Sequence, residues 1–394
     1  MDIKLTNKQT LPSDGFAGTL VGRAWIPGII SGPSVVVIKE KGVFDISRTH
    51  PTMSDLLSQP NPVDAVNRAL EQCNSIGSLD DILSNTHIED RDHEVAYFLS
   101  PIDMQAIKAC GVTFARSMIE RVIEEKAGGD ASAAEGIRKI INDEIGGDIA
   151  KVVPGSKDAE KLKAALIKQG MWSQYIEVGI GPYAEVFTKS QPTSAVGTGA
   201  EVGVHPESGW NNPEPELVLL VNPEGKIIGA TLGNDVNLRD FEGRSALLLG
   251  KAKDNNASCS IGPFIRLLDD TFSIDDMRNM EVSLEIHGED GFELIDKSSI
   301  SQISRDITDL VSQTIGENHQ YPDGIALFTG TMFAPTKDRD RPGQGFTHKI
   351  GDVVTISSAK LGSLVNRVNH SNKITPWTFG ATALMKNLAK RKLL

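Results

Sequence analysis

The chain has 394 residues, of which 39% are hydrophobic and 23% charged, a composition typical of a soluble globular protein with one or two domains. Its formal net charge of −12 at pH 7 argues against nucleic acid and anionic membrane as partners, because both require a basic face. The N-terminus has no apolar signal segment, no stretch approaches the roughly 20 apolar residues of a spanning helix, and the three cysteines lie far apart. We therefore expect a reducing, cytoplasmic location.

The first 100 residues are predicted to form a small N-terminal α/β domain. Residues 17–26 and 33–47 are rich in β-branched side chains, and the Lys41–Gly42 pair predicts a hairpin. Two short helices follow in the prediction, at residues 52–59 and 62–73, the second beginning near Asp64. Residues close to 100 then mark the end of this domain.

The predicted second domain begins with helices and continues as strands. Residues 100–128 are read as largely helical, although Gly111 to Thr113 could break the helix. Amphipathic patterns predict further helices at residues 130–147 and 156–170. From 175 to 370, β-branched runs with many glycines predict strands, and the chain ends in a helix with basic residues.

The stretch NNPEPELVLLVNPEGKIIGATLGNDV places carboxylates at the ends of two successive strands. Glu214 and Glu216 lie two residues apart, so a strand directs both side chains to one face. If the turn pairs Pro223 with Lys226, Asp235 lies directly opposite Glu214, whereas a three-residue loop would shift the pairing by one. The register therefore decides whether the three acids meet.

Three carboxylates in one place repel each other unless a cation lies among them. Oxygen ligands of this kind suit Mg²⁺, Mn²⁺ or Ca²⁺ rather than zinc. The alternative is a solvated hairpin edge with ordinary surface acids. Lys253, a short distance downstream, can bind a substrate carboxylate or transfer a proton if its pKa is depressed, and a surface salt bridge is its simpler alternative.

The order and spacing of these groups resemble the fumarylacetoacetate hydrolase family. The family has a Glu-x-Glu strand, found here at residues 214–216, and an Asn-Asp-Val segment, found at 234–236. Arg-Asp follows at 239–240, a lysine six residues before a cysteine at 253–259, and Gly-Pro at 262–263. GIALFTGT and HKIGDVVTIS match the family's Thr-Gly-Thr and Gly-Asp-x-Val segments. The resemblance covers about residues 100–370.

The resemblance implies an α+β fold with mixed, rolled β structure around a metal site. It also implies an N-terminal domain at residues 1–100, a catalytic domain at 101–372 and a C-terminal helix at 373–394. Family members are commonly dimers or tetramers, so a homo-oligomer is expected.

By the same resemblance, Glu214, Glu216 and Asp235 hold one divalent cation, usually Mg²⁺, with Mn²⁺ and Ca²⁺ as alternatives. The cation chelates a 2-oxo acid or a related 1,3-dicarbonyl.

The resemblance also assigns residues to the substrate. Lys253 is expected near the bound carbonyl, Thr331 is expected to bind the substrate, and Arg239 is expected to support the site. Lys189 and Ser194 are expected to contact the substrate or to buttress the metal-binding loop.

One motif departs from the family's hydrolases, which carry Gly-x-Asn-Tyr-x-x-His-x-x-Glu to activate water. The matching stretch here is GVTFARSMIE, which keeps the glutamate as Glu120 but has Ser117 where the histidine would stand. A branch of the family that lacks this histidine dehydrates sugar acids. Segments such as SGWNNPEPEL and LFTGTMFAPTKDRDRPGQGFTHK resemble the 2-keto-3-deoxy-D-xylonate dehydratases of that branch.

We therefore predict Mg²⁺-dependent dehydration of a 2-keto-3-deoxypentonate, best matched to the D-xylonate derivative, to 2-oxoglutarate semialdehyde in pentose catabolism. Glu120, directly or through water, or neutral Lys253 would act as the base; Glu120 is favoured for proton handling and Lys253 for charge stabilisation. Ser117 would bind a hydroxyl or a water.

Two alternatives remain. One is a hydrolase or decarboxylase of a 2,4-dioxo acid or oxaloacetate on the same scaffold, and the other is a non-catalytic metal- or ligand-binding protein. Nucleotide binding at GTGAEVG (residues 197–203) is rejected, because the segment does not match GxGxxG and no βαβ unit surrounds it.

Overall fold

The computed structural model describes residues 3–394 except 90, 135, 138–151, 169, 171, 333–334 and 341–344. The helix expected at residues 130–147 falls largely outside this part of the chain. Within it, no helix has the length and apolar character needed to cross a bilayer. The expected homo-oligomer stays a prediction.

The strands and helices alternate along the chain in the mixed order that an α+β fold requires. The strands are β1 (Leu20–Ile26), β2 (Gly32–Lys39), β3 (Gly42–Asp45), β4 (Ser75–Gly77), β5 (Tyr97–Phe98), β6 (Ala106–Gly111), β7 (Glu185–Ser190), β8 (Glu201–Val204), β9 (Asn211–Asn212), β10 (Pro215–Val221), β11 (Ile227–Asp235), β12 (Asn237–Leu238), β13 (Cys259–Leu267), β14 (Glu281–His287), β15 (Glu293–Ser299), β16 (Ile325–Phe328), β17 (Val353–Ser358) and β18 (Gly362–His370).

The helices lie mainly before and between these strands. They are α1 (Asn7–Thr10), α2 (Met53–Leu57), α3 (Pro62–Leu70), α4 (Leu79–Ser84), α5 (Ala115–Lys126), α6 (Lys157–Lys168), α7 (Gln174–Ile180), α8 (Arg239–Glu242), α9 (Leu249–Lys253), α10 (Ile274–Arg278), α11 (Ile307–Thr314) and α12 (Ala381–Lys390). The predicted helices near 156–170 and at the C-terminus are confirmed by α6 and α12.

Two sheets carry the architecture. An 11-stranded sheet has the order β4-β3-β2-β1-β13-β11-β10-β16-β6-β7, with β5 paired to β1, and a 5-stranded sheet has the order β15-β14-β17-β18-β8. Most neighbours are antiparallel, whereas β16 pairs with β6 and β18 with β8 in parallel. The predicted α+β fold with mixed β structure is therefore confirmed.

The central strand β10 is buried along its whole length, as its uninterrupted apolar sequence requires. Leu217 and Leu219 join the core that also contains Leu284 and Ile356 of the smaller sheet. Val218 and its alternate neighbours face the opposite core, which contains side chains of α2 and α3. The metal-ligand candidates therefore sit at the buried end of the β10–β11 hairpin.

The N-terminal predictions hold at the level of elements. Lys39 pairs with Gly42 across the predicted hairpin, and helix α3 begins at Pro62 because the Asn61 side chain accepts a hydrogen bond from the Asp64 amide. Strand β1 pairs with β13, so the large sheet continues across residue 100. The division of the chain into three domains stays a prediction.

The expectation of a largely helical segment at residues 100–128 is wrong in its first half. Residues 106–111 form strand β6, between β16 and β7, and a helix begins only at Ala115. Ile107 and Ala109 alternate into the core in a strand-like way, and Val112, with φ of 58°, ends the strand. Burial in the sheet thus overrides the helix propensity of this stretch.

Candidate metal centre and active site

The hairpin of β10 and β11 sets the position of the three acids. Pro215 pairs with Asn234, and the Asp235 amide donates a hydrogen bond to the Glu214 carbonyl at 3.0 Å. The turn is a three-residue loop, closed by a hydrogen bond from the Asn222 amide to the Lys226 carbonyl. A register shift next to the loop, between residues 220 and 221, compensates for the extra residue. Asp235 therefore lies opposite Glu214, in the arrangement first expected for a two-residue loop.

Glu214, Glu216 and Asp235 form a compact and buried carboxylate cluster. Each offers one carboxylate oxygen, and these atoms all lie within 4.8 Å of one another. The three residues are only 2%, 1% and 1% exposed. The alternative of ordinary surface acids on a solvated hairpin edge is therefore wrong.

Three cationic side chains contact two of these acids. The Lys253 ammonium lies 3.1 Å from Asp235 Oδ2 and also contacts Glu214, while Lys189 Nζ lies 2.8 Å from Asp235 Oδ1. Arg121, on α5, contacts the other oxygen of Glu214. The structure thus places Lys189 against a metal-ligand candidate, and its predicted role stays a prediction.

These contacts set the protonation states. Burial alone would raise the pKa of Asp235, but Lys189 and Lys253 lower it below its usual range. Burial alone would lower the pKa of Lys253, but Asp235 and Glu214 raise it above the ordinary lysine range. Lys253 therefore carries its proton in this state and suits charge stabilisation better than proton abstraction.

Glu216 is the member of the cluster without a salt bridge among the described residues. Its recorded hydrogen bond comes from the Gly330 amide, 2.7 Å from Oε2. Burial, with Asp235 and Glu214 nearby, raises its pKa well above the usual glutamate range. A divalent cation bound by the three carboxylates would supply the missing positive charge, so the residues present fit a metal of the Mg²⁺ type.

Gly330 can approach Glu216 only because it lacks a side chain. Its φ is +98°, and a Cβ there would lie 2.0 Å from Thr113 Oγ1. The Thr113 hydroxyl in turn donates to the Thr329 carbonyl at 2.7 Å. The Thr-Gly-Thr segment thus serves as a backbone donor to the cluster.

A second charged network fixes helix α5 against the site. Arg239 Nε lies 2.6 Å from Glu124, its NH2 lies 3.1 Å from Glu120, and its guanidinium stacks 4.3 Å from the Trp210 ring. Arg121 joins this network through Glu124 and lies 3.1 Å from Glu242. Arg239 is 1% exposed and ties helix α5 to the site through Glu120 and Glu124, and its predicted role at the substrate stays a prediction.

A cavity of about 20 Å³ opens beside the carboxylate cluster, which is room for about one water. Of the predicted site residues, Ser117, Thr331 and Lys253 line it together with Glu214 and Asp235. The structure therefore brings this part of the predicted site together. The assigned roles themselves stay predictions.

Several predicted residues are absent from the described lining of this cavity: Glu216 and Lys189 belong to the adjoining carboxylate cluster and its contacts, Arg239 lies in the second charged network, and Glu120 and Ser194 lie apart from the cluster. Glu120 is held by Arg239 and is not among the described residues that line the cavity. The Ser194 hydroxyl donates to the Gln191 carbonyl at 2.6 Å, contacts Ser190, and lines a different surface depression. We find no contact of Ser194 with the cluster in the described part of the chain.

Glu185 is a cavity residue that the sequence reasoning missed. It is the first residue of β7, opposite Gly111 of β6, and a Cβ at Gly111 would lie 2.0 Å from Glu185 Oε2. Burial and the neighbouring Glu242 raise its pKa to about 7. The available signal was the spacing to Lys189, since residues four apart in a strand share a face. Arg121, next to Glu120, was also missed.

These features together form a buried and highly charged pocket. Three acids can hold a divalent cation, Lys253 supplies a fixed positive charge, and Glu185 can exchange a proton near neutral pH. Thr331 and Ser117 add hydroxyl groups to the same wall.

Known proteins share both the sequence and the fold of this region. A 2-dehydro-3-deoxy-D-arabinonate dehydratase of Saccharolobus solfataricus is 31% identical over 191 residues, 48% of this chain and 60% of that protein. A probable 2-keto-3-deoxyxylonate dehydratase of Haloferax volcanii is 33% identical over 222 residues, 54% of this chain and 73% of that protein. The matched region thus spans less than two thirds of the first relative.

A solved structure of a 2-keto-3-deoxy-D-arabinonate dehydratase, complexed with magnesium and 2,5-dioxopentanoate, has the same fold. The TM-score is 0.58 at 21% identity, over 89% of this chain and 99% of that one. The family model for the fumarylacetoacetate hydrolase C-terminal region matches residues 173–369, half of the chain. The chain therefore belongs to the fumarylacetoacetate hydrolase family.

Proposed function

We propose that this protein dehydrates a 2-keto-3-deoxypentonate, with Mg²⁺ as cofactor, to 2,5-dioxopentanoate, which is 2-oxoglutarate semialdehyde. The observation that carries the proposal is the buried carboxylate cluster beside Lys253, in a cavity that has Ser117 at the position of the hydrolytic histidine. Dehydratases among the relatives, and magnesium with 2,5-dioxopentanoate in the structure of similar fold, support it. The D-xylonate derivative is the substrate we favour, as part of pentose catabolism.

Glu214, Glu216 and Asp235 would hold the cation, which when bound supplies a Lewis acid for the carboxylate and carbonyl oxygens of a 2-oxo acid. The protein's own residues then act around the substrate. The Lys253 ammonium stabilises negative charge that develops on the carbonyl oxygen as a C3 proton leaves. Thr331 and Ser117, which line the cavity, would bind hydroxyl groups of the substrate, and the cavity would have to widen beyond its room for one water to admit it.

The reaction removes one proton from C3 and the hydroxyl from C4, so that a C3–C4 double bond forms and one water leaves. A proton then moves from C5 to C3, and the resulting enol becomes the aldehyde. A single carboxylate that accepts and returns protons can serve both steps. No water has to be activated as a nucleophile, which is consistent with serine at position 117.

Two carboxylates compete for the role of base. Glu120 was favoured from the sequence, but its carboxylate pairs with Arg239 at 3.1 Å. Glu185 lines the cavity and has a pKa of about 7, which suits proton exchange near neutral pH. We therefore propose Glu185 as the base and keep Glu120 as the alternative.

The test uses metal-stripped protein and 2-keto-3-deoxy-D-xylonate, with and without Mg²⁺. An aldehyde dehydrogenase coupled to NAD⁺ would detect 2,5-dioxopentanoate. We expect aldehyde formation only with Mg²⁺, and the D-arabinonate derivative serves as the comparison substrate. The proposal would be overturned if neither substrate gave aldehyde and the protein instead released pyruvate from oxaloacetate or a 2,4-dioxo acid. That result would favour a decarboxylase or hydrolase.

A further inference from the structure

A second and larger cavity, of about 250 Å³, lies away from the metal centre. Its wall combines β1, the residues around β5, the glycine-rich segment 193–201 and residues 374–379. Among the described residues, it shares no lining side chain with the cavity beside the carboxylate cluster. The proposed dehydration does not use it.

Aromatic side chains shape this cavity. The Trp25 ring lies edge-on to Phe379, with centroids 5.6 Å apart, and Phe98 lines the same space. Behind them, Trp25 stacks with Tyr97 at a centroid distance of 6.4 Å. Flat, rigid walls of this kind accept a planar ring through stacking and edge-on contacts.

Two guanidinium groups give the cavity positive charge. Arg23 has Asp103 as a partner at 3.5 Å, whereas Arg91 lies 4.1 Å above the Tyr97 ring and has no salt bridge to a described residue. One terminal nitrogen of the Arg91 guanidinium donates to the Thr86 carbonyl, whereas its Nε–H is buried without an acceptor among the described residues. Because this group can only donate, it calls for an acceptor in the cavity. Burial lowers the pKa of Arg91, and the neighbouring Tyr97 side chain opposes this shift.

Ser100 adds a second unsatisfied polar group. It lines the cavity, is only 4% exposed, and its hydroxyl has no hydrogen-bond partner in the part of the chain that the structure describes. The one acid in the described lining, Glu201, accepts a hydrogen bond from Asn369 at 2.7 Å. A ligand with an acceptor group would therefore satisfy the Arg91 Nε–H and the Ser100 hydroxyl, whereas an apolar molecule would leave these two groups buried without a partner.

We propose that this cavity is a binding site for a small planar aromatic carboxylate. The ring would occupy the space between the aromatic walls, and the carboxylate would pair with the Arg91 guanidinium and accept from Ser100. This inference is independent of the proposed dehydration, since no residue of the metal centre takes part.

The test compares 1-naphthoate with its neutral analogue 1-naphthamide by calorimetry on the full chain. We expect one naphthoate site per chain, with affinity at least about tenfold higher than for the amide because of the charge-assisted contact. Naphthoate should also quench the fluorescence of Trp25, one of four tryptophans in the chain, and Trp25→Phe should remove that quenching. Glu216→Gln should leave the affinity unchanged, which separates this site from the metal centre.

Matched arginine variants make the test specific. Arg91→Met should weaken naphthoate binding at least about tenfold, Arg91→Lys should retain most of it, and Arg68→Met, on the exposed side of α3, should not change it. Thermal unfolding of each variant verifies that the fold is kept. Equal affinity for acid and amide, unchanged binding by Arg91→Met, or no binding at millimolar naphthoate would each overturn the proposal.

Discussion

Glu216 is the residue on which the metal hypothesis depends most directly. Its neighbours Glu214 and Asp235 have cationic partners, whereas its own recorded hydrogen bond comes from the Gly330 amide. We expect Glu216→Gln to weaken Mg²⁺ binding by at least roughly 100-fold, because a ligand is lost as well as its charge. Calorimetric titration of the metal-stripped protein measures this directly.

The same substitution has a second expected effect of opposite sign. In the metal-free protein it removes a buried carboxyl group that is costly to ionise, as its raised pKa shows, so the urea midpoint of unfolding should rise or stay unchanged. Glu224→Gln, in the exposed hairpin loop, is the control and should change neither property. If Glu216→Gln destabilised the metal-free protein and left the metal affinity intact, the residue would be structural and not a ligand.

Glu185 gives a pH-dependent prediction. Its folded-state pKa is raised to about 7, so a base at this position is active only after losing its proton. The rate should therefore increase with pH and level off above this value. A cation in the adjoining cluster would lower the pKa of Glu185. The rate should therefore rise over a pH range centred at or below about 7. The pH profile of kcat/KM under Mg²⁺ saturation tests this.

The protonation of Glu185 also makes the free energy of unfolding depend on pH. Because the folded-state pKa lies above the unfolded value, the protonated group favours the folded state at low pH. That contribution decreases as pH rises from the ordinary glutamate range toward about 7. Glu185→Gln should reduce both this pH dependence and the rate, whereas Glu120→Gln should leave the rate limb in place. The reverse result would return the role of base to Glu120.

At the scale of elements, helix α5 is attached to the metal centre through buried charges. Arg121 contacts Glu214, Glu124 and Glu242 together. Replacing it with methionine would leave these carboxylates without their shared cation, so we expect a loss of about 3–5 kcal/mol in the free energy of unfolding.

Arg116 on the same helix provides the matched control for Arg121→Met. It is exposed and lies 3.5 Å from Asp296, so Arg116→Met should cost only about 0–1 kcal/mol. Urea unfolding of both metal-free variants makes the comparison. Equal losses would mean that the Arg121 network contributes no more than a surface pair.

Sequence patterns predicted some elements well and others poorly, for identifiable physical reasons. The alternation and apolar run of β10 and β11, with acids two residues apart, predicted the hairpin and its shared face. The sequence left the loop length open, and the three-residue loop of the structure would by itself have shifted the pairing by one; the compensating shift between residues 220 and 221 has no clear sequence signature. Strand β6 was missed because its pairing partners are far away in sequence, in β16 and β7.

The candidate site shows the same limit. The metal-ligand candidates and Lys253 could be named because their spacing is local and matches a family motif. Glu185 and Arg121 reach the cavity through tertiary packing, and Gly111 makes room for Glu185 only after β6 and β7 pair. A single sequence does not report such distant pairings, so these residues had to come from the structure.

At the scale of the whole molecule, the metal centre joins segments that are far apart in sequence. The carboxylates come from β10 and β11, Lys253 ends α9, Lys189 belongs to β7, and Gly330 follows β16. An unfolded chain cannot assemble these groups, so a cation should bind the folded state almost exclusively. Metal binding should therefore stabilise the entire fold and not only the hairpin.

We expect the free energy of unfolding to rise with Mg²⁺ concentration, by about 2.7 kcal/mol at a hundredfold excess over the Kd. Chelation of the metal should reverse the gain, and Glu216→Gln should show almost none of it at the same Mg²⁺ concentration. Mg²⁺ also neutralises the charge of the buried carboxylates. The increase in the free energy of unfolding that Mg²⁺ causes should therefore become larger as pH rises and Glu216 loses its proton. Urea unfolding at several Mg²⁺ concentrations and two pH values measures both dependences. A Mg²⁺ effect of the same size in Glu216→Gln would locate the bound cation elsewhere and remove the basis for a metal at this cluster.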